Sequence, residues 1–201
     1  MVIARFPAVD GIAAEIMGLV LAHAPTLGRG RLVCVDGPAG SGKTTLAAAL
    51  RRAARNLLPA DGTVALVHMD NVYAGWAGLE TGMGTVATSV VEPLRHGRPG
   101  RYRRFDWHAM AFAEEHRVDP VDVLVVEGVG SASEAYDDAI TCLVWVDTPS
   151  DVRLDRGLAR DGEPLREQWL LWREAEEAMF VRERSRERAD VVVDGISAAR
   201  L

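Results

Sequence analysis

The octapeptide GPAGSGKT, Gly37 to Thr44, is where residue type and spacing in this chain most directly imply chemistry. It matches the pattern G-x-x-x-x-G-K-[ST], in which successive backbone N–H groups curl around a phosphate. Side chains would obstruct that approach, so glycine suits Gly37, Gly40 and Gly42, with Pro38, Ala39 and Ser41 completing the loop. Lys43 would reach the β- and γ-phosphates of ATP from a solvent-facing position, and Thr44 would ligate Mg2+. Thr45 continues into a helix whose positive end faces the anion. The competing interpretation is a chance glycine turn ahead of a helix. It loses ground because an apolar run, Leu32 to Val35, precedes the loop and a helical pattern, TTLAAALRRAARNLL, follows it.

Moving a phosphoryl group requires positioning of two substrates in line and neutralisation of the migrating charge. Three further features could supply those parts. Asp70 closes the apolar run TVALVHMD and could accept a proton from an acceptor hydroxyl, or act only as a loop cap. Glu127 closes VDVLVVEG, where an acid would orient Mg2+-bound water, or cap the next loop. The segment DVRLDRGLARDGEPLR carries Arg153, Arg156, Arg160 and Arg166. Arg156 and Arg160 are spaced i, i+4 on one helical face and could converge on transferring phosphate; alternatively they pair with Asp155 and Glu163 on a solvated face.

These residues need a scaffold that brings strand ends to one edge. The runs Leu32–Val35, 63–70, 121–128, 140–147 and 189–195 are almost continuously apolar, as strands covered on both faces must be. Helical patterns lie between most of them, at 85–96, 149–160 and 163–187, and Asp10 could cap a first helix reaching about Ala24. Alternation of this kind implies a central five-stranded parallel sheet flanked by helices, an α/β fold with an arginine-bearing helical lid. The glycine-rich patch YAGWAGLETGMG, 73–84, reads as a mobile loop, and WLLWREAEEAMF, 169–180, as core-facing helix.

Composition narrows the function. The chain has 201 residues, 48% of them hydrophobic and 26% charged, which fits a single domain: an N-terminal helix and connector over 1–29 and a core over 31–195. A net charge of −6 disfavours a general nucleic-acid binder, so any phosphate must be held by a local cluster. Cys34 and Cys142 sit inside apolar runs and read as buried thiols, in keeping with a cytoplasmic protein. No run has the length of a membrane span. A guanine-specific switch would carry an N-K-x-D element late in the chain, where this sequence has VDTPSD at 146–151, and no LSGGQ-like transporter signature occurs.

Taken in order, the phosphate loop, MDNVY, VLVVEG, VDTPSDVRLDRGLARD and ADVVVDG resemble the uridine kinase and phosphoribulokinase branch of the P-loop kinases, across roughly residues 31–195. The resemblance implies that Asp70 is the acceptor-side base and Tyr73 the aromatic of the D-x-F-Y motif, with Val72 replacing its phenylalanine. It assigns the stretch RYRRFDWHAM to the nucleoside, through Tyr102, Asp106 and His108; the residues alone equally fit a basic turn followed by a helix that buries Trp107 and Phe112. The lid pattern R-L-x-R-R-x-x-R-D falls on Arg153, Leu154, Arg156, Arg160 and Asp161, with Gly157 in place of the second arginine of its pair. Arg166 extends the acceptor-contacting set. The expectation is an ATP- and Mg2+-dependent kinase of a small-molecule hydroxyl, a nucleoside above all, with no nucleic-acid polymer or membrane as partner. Another metabolite or a nucleoside monophosphate as acceptor, and a nucleotide-binding regulatory ATPase, remain the alternatives. The acceptor, the choice between Asp70 and Asp106 as base, the preference for ATP over GTP and a homo-oligomeric state stay open.

Overall fold

A computed structural model describes residues 2–4 and 9–196. Its centre is β2 (Arg31–Asp36), an apolar strand that both neighbours cover. The remaining strands of that sheet are β1 (Val2–Ala4), β3 (Val64–His68), β6 (Val123–Glu127), β7 (Ile140–Asp147) and β8 (Val191–Asp194), in the spatial order β1-β8-β7-β2-β6-β3. All pairings in it are parallel. The five expected strands are therefore present, and Val2–Ala4 adds a sixth at the edge beside β8.

Alternate residues of β2 serve two separate cores, as the two-residue period of a strand dictates. Val33 and Val35 face α1 (Val9–Ala22) and α2 (Lys43–Leu57), where Leu46, Leu50 and Met17 are fully buried. Leu32 and Cys34 face the opposite layer, built from α3 (Leu79–Thr85), a π-helical turn Val86–Val91, α4 (Glu92–Arg95) and α6 (Arg166–Glu183). α5 (Ser150–Asp161) follows β7, and α7 (Ser185–Arg188) leads into β8. Both cysteines are buried free thiols. Asp10 lies within the first turn of α1 and bonds Arg52 of α2 at 2.7 Å. Among the described residues no helix is long and apolar enough to cross a membrane.

Two expectations change. The patch 73–84 is not an open loop: a 3-10 turn at Gly75–Ala77 leads into α3. Its glycines permit close packing, since a Cβ on Gly82 would lie 2.6 Å from the Tyr73 ring. The stretch RYRRFDWHAM forms no helix either. It contributes β4 (Gly100–Asp106) and the turn leading to β5 (Ala111–Val118), an antiparallel hairpin, with Phe112 left 42% exposed. Alternation of buried and exposed residues along β4 is the strand period that the dense arginines obscured.

Candidate active site

Strand β2 ends at Asp36 and hands the chain to the glycine loop, where Gly37, Gly40 and Gly42 adopt φ of 140°, 79° and 103°. The demand for glycine has a tertiary origin. A Cβ on Gly37 would stand 2.5 Å from the carbonyl oxygen of Val146 in β7, and one on Gly40 would stand 2.5 Å from that of Arg153 in α5. Only Gly42 has room, its nearest neighbour being 3.8 Å away, so there the backbone conformation alone selects glycine. Helix α2 begins at Lys43 with no side-chain cap. Its first-turn N–H groups have no intrahelical acceptor. Residues Gly42 to Thr45 line a cleft of about 840 Å³, and an uncapped helix N-terminus opening into a cleft fits a phosphate group.

Lys43 is buried rather than solvent-facing, which corrects the sequence expectation. Its Nζ donates to the carbonyl of Pro38 at 2.8 Å. Burial lowers its pKa, while the charges of Glu127, Glu176, Asp36 and Asp70 act to keep it protonated. Beside it, the Thr44 hydroxyl donates to Glu127, 3.2 Å from Oε1, so the two residues expected at Mg2+ do meet. Among the described residues no three His, Cys, Asp or Glu side chains converge on a metal-sized site. The hard oxygens of Thr44 and Glu127 suit Mg2+, which characteristically takes few protein ligands and completes its shell with phosphates and water. His68, paired in register with Glu127 across β3 and β6, places Nδ1 2.5 Å from Oε1 of Glu127. That bond raises the His68 pKa and fixes the carboxylate's orientation. Sequence reading missed His68 because strand adjacency is not visible in one chain segment.

Asp70 lies in the 3-10 turn Met69–Asn71, two residues past the end of β3 rather than closing that strand, and lines the same cleft. Its carboxylate accepts no hydrogen bond from the described residues; the residue is exposed to the open cleft, and desolvation by the surrounding cleft walls, then the charge of Glu127, raises its pKa. The cleft is also lined by Trp76, Trp107, Trp169 and Trp172, with His108, Met110 and Leu165. Trp76 is the hub: its ring centroid lies 5.6, 6.2 and 6.0 Å from those of Trp107, Trp169 and Trp172, each edge-to-face. Trp107 also donates its indole N–H to the Asp70 carbonyl at 2.8 Å, tying the hairpin tip to the acid. Trp169 and Trp172 were expected to be core; they are buried and at the same time form the cleft wall. Tyr73 is buried, its ring centroid 5.1 Å from that of Trp172, and donates its hydroxyl to the Val129 carbonyl at 2.6 Å.

The remaining candidates divide. Arg156 and Arg160 line the cleft; Arg156 reaches the carbonyls of Gly40 and Gly195 at 3.4 Å, and Arg160 is held by Asp161 at 2.7 Å with its guanidinium 5.7 Å from the Trp169 centroid. Arg153 braces the loop from outside, bonding Glu176 at 3.0 Å and the Thr148 carbonyl at 3.1 Å. Glu176, buried on α6, also accepts the N–H of Ala39 at 2.8 Å. Tyr102, Asp106 and Arg166 do not line the cleft. Tyr102 stacks on His116 at 5.3 Å, and Asp106 accepts the N–H groups of His108 and Ala109 at 3.0 Å as the cap of the hairpin turn. Arg166 pairs with Glu163 at 2.5 Å.

No protein-family profile and no curated protein sequence matches this chain. Solved structures do. A possible uridine kinase from Bacillus stearothermophilus aligns with a TM-score of 0.65 and 21% identity, over 92% of this chain and 97% of the other. A kinase assigned to fructose transport in Silicibacter aligns at 0.58 and 20% identity, covering 90% of this chain and 98% of its own. The YGR205w protein aligns at 0.58 with 10% identity, covering 95% and 96%. At such identities the likeness concerns architecture alone: this chain shares the α/β fold of those structures, a parallel sheet flanked by helices.

Proposed function

We propose that this chain is an ATP- and Mg2+-dependent kinase that phosphorylates a hydroxyl group of a small molecule, most simply a nucleoside. The observation that carries the reading is one cleft lined together by an uncapped helix N-terminus, by Lys43, by Asp70, whose carboxylate has no hydrogen-bond partner among the described residues, and by an indole wall. Bound ATP with Mg2+ supplies the phosphoryl group. Thr44 and Glu127 would hold the metal, and His68 would keep the Glu127 carboxylate aimed. Lys43 and Arg156 would neutralise charge on the phosphates, Lys43 exchanging the Pro38 carbonyl for a phosphate oxygen. Asp70 would take the hydroxyl proton on a carboxylate oxygen as the acceptor oxygen attacks. The indoles offer flat rings a stacking surface and exclude water from the transfer. Of the three candidates in RYRRFDWHAM, His108 at the hairpin tip lines the cleft, whereas Tyr102 and Asp106 support the hairpin.

The reading is tested by measuring ADP release from MgATP with and without a panel of nucleosides, sugars and nucleoside monophosphates. A nucleoside that raises the rate well above the background hydrolysis is the expected result. A rate that no acceptor changes would overturn the kinase reading and favour a regulatory ATPase.

A further inference from the structure

Asp36 takes no part in the chemistry described above, yet it is fully buried at the junction between β2 and the phosphate loop. Its Oδ1 accepts the N–H of Gly37 at 2.8 Å and of Gly130 at 2.9 Å, and its Oδ2 accepts the N–H of Ala132 at 3.3 Å. The first donor opens the phosphate loop. The other two belong to the segment that follows Glu127, whose first residues, Gly128 and Val129, line the cleft. Gly37 and Gly130 both hold positive φ, so their N–H groups point away from any regular strand or helix partner. That second segment also accepts the Tyr73 hydroxyl on Val129 and the Tyr136 hydroxyl on Ser131, both at 2.6 Å. One continuous chain of bonds thus runs from the phosphate loop through Asp36 and Val129 to Tyr73, three residues after Asp70.

We propose that Asp36 is a positioning residue that couples the phosphate loop to the acceptor side of the cleft, its carboxylate being the shared acceptor that sets both loops at once. An apolar side chain would fill this buried site without stranding a charge, so the carboxylate's presence calls for donors that need it. Burial drives its pKa up to about 6, against the opposing pull of the three N–H bonds and Lys43. The inference rests on the nucleotide-site reading of the phosphate loop, and its test separates the two.

Amide hydrogen exchange is followed on the full chain, with and without a non-hydrolysable MgATP analogue, in wild type, Asp36→Asn and Asp36→Ser. In wild type the analogue should protect residues 37–44 and 128–132 together. In the variants it should still protect 37–44, while the protection gained at 128–132 falls about tenfold. Asparagine sets an amide N–H2, a donor, against either the N–H of Ala132 or those of Gly37 and Gly130, so one of the two loops loses its acceptor, and serine, which is too short to span both, serves if that variant fails to fold. Turnover with the acceptor found in the screen should fall about tenfold in kcat with the KM for ATP little changed. Undiminished protection at 128–132 in a folded variant overturns the coupling. Absence of protection at 37–44 in wild type overturns the nucleotide-site reading itself, whatever Asp36 does.

Discussion

The two halves of the cleft are made in different ways. On the proposed reading, the part that would take the nucleotide is mostly backbone, one loop and one helix terminus with buried Lys43, all within Ala39 to Thr45. The part that would take the acceptor is side chain: Asp70 and Trp76, Trp107, and Trp169 with Trp172 arrive from three separated segments, the four indoles meeting through aromatic packing. A backbone cradle serves any polyphosphate, because peptide N–H groups are the same in every sequence. A wall of side chains can be changed residue by residue, so selectivity for the acceptor belongs there. Substitutions in the two halves should therefore fail differently.

Lys43→Met should give the largest loss. Methionine retains much of the buried stem and removes the charge, so turnover should drop about a thousandfold in a protein whose circular dichroism is unchanged. Turnover near wild type would remove the phosphate-loop argument. Asp70→Asn should lower kcat about a hundredfold while calorimetry finds MgATP affinity unaltered. Weakened metal-dependent nucleotide binding would instead make Asp70 a metal-side residue, and unaltered kcat would make it a loop cap. Because desolvation by the cleft walls and the Glu127 charge raise its pKa, the acid limb of kcat/KM should lie above the ordinary aspartate value. A base is active above its pKa, so the rate is lost as pH falls through that limb, and the limb should vanish in Asp70→Asn.

Trp76→Leu probes the acceptor half alone. It should raise the KM for the acceptor about tenfold and leave the KM for ATP where it was. Equal change in both would mean that the indole hub shapes the whole cleft and that the division drawn here is false. The smallest effects belong to Tyr102→Phe and Asp106→Ala, which should alter turnover by less than about twofold because both residues support the hairpin from outside the cleft. A large loss of kcat in Asp106→Ala would return that residue to the candidates for acceptor-side base.

Legibility follows the range of the interactions involved. The strand–loop–helix containing Gly37 to Thr44 is a local object: apolar period, turn residues and helix start lie within about twenty residues, so its pattern alone carries the fold class and the nucleotide half. Glu127 was readable as an acid closing an apolar strand, since parallel strands deliver their ends to one edge, whereas Asp70, expected to close the second, lies in the 3-10 turn just beyond it. What no segment contains is adjacency. That His68 would meet Glu127, that Asp36 would join two loops and that Glu176 would hold Ala39 depend on contacts between residues 59 to 137 positions apart. The glycines of the loop looked like concessions to phosphate, and it took the packing of Val146 and Arg153 to show that the protein itself needs the space. The aromatic wall was hidden for the same reason: Trp169 and Trp172 have helical spacing, which says that they face inward, and only the tertiary arrangement decides that the inside they face is a cleft.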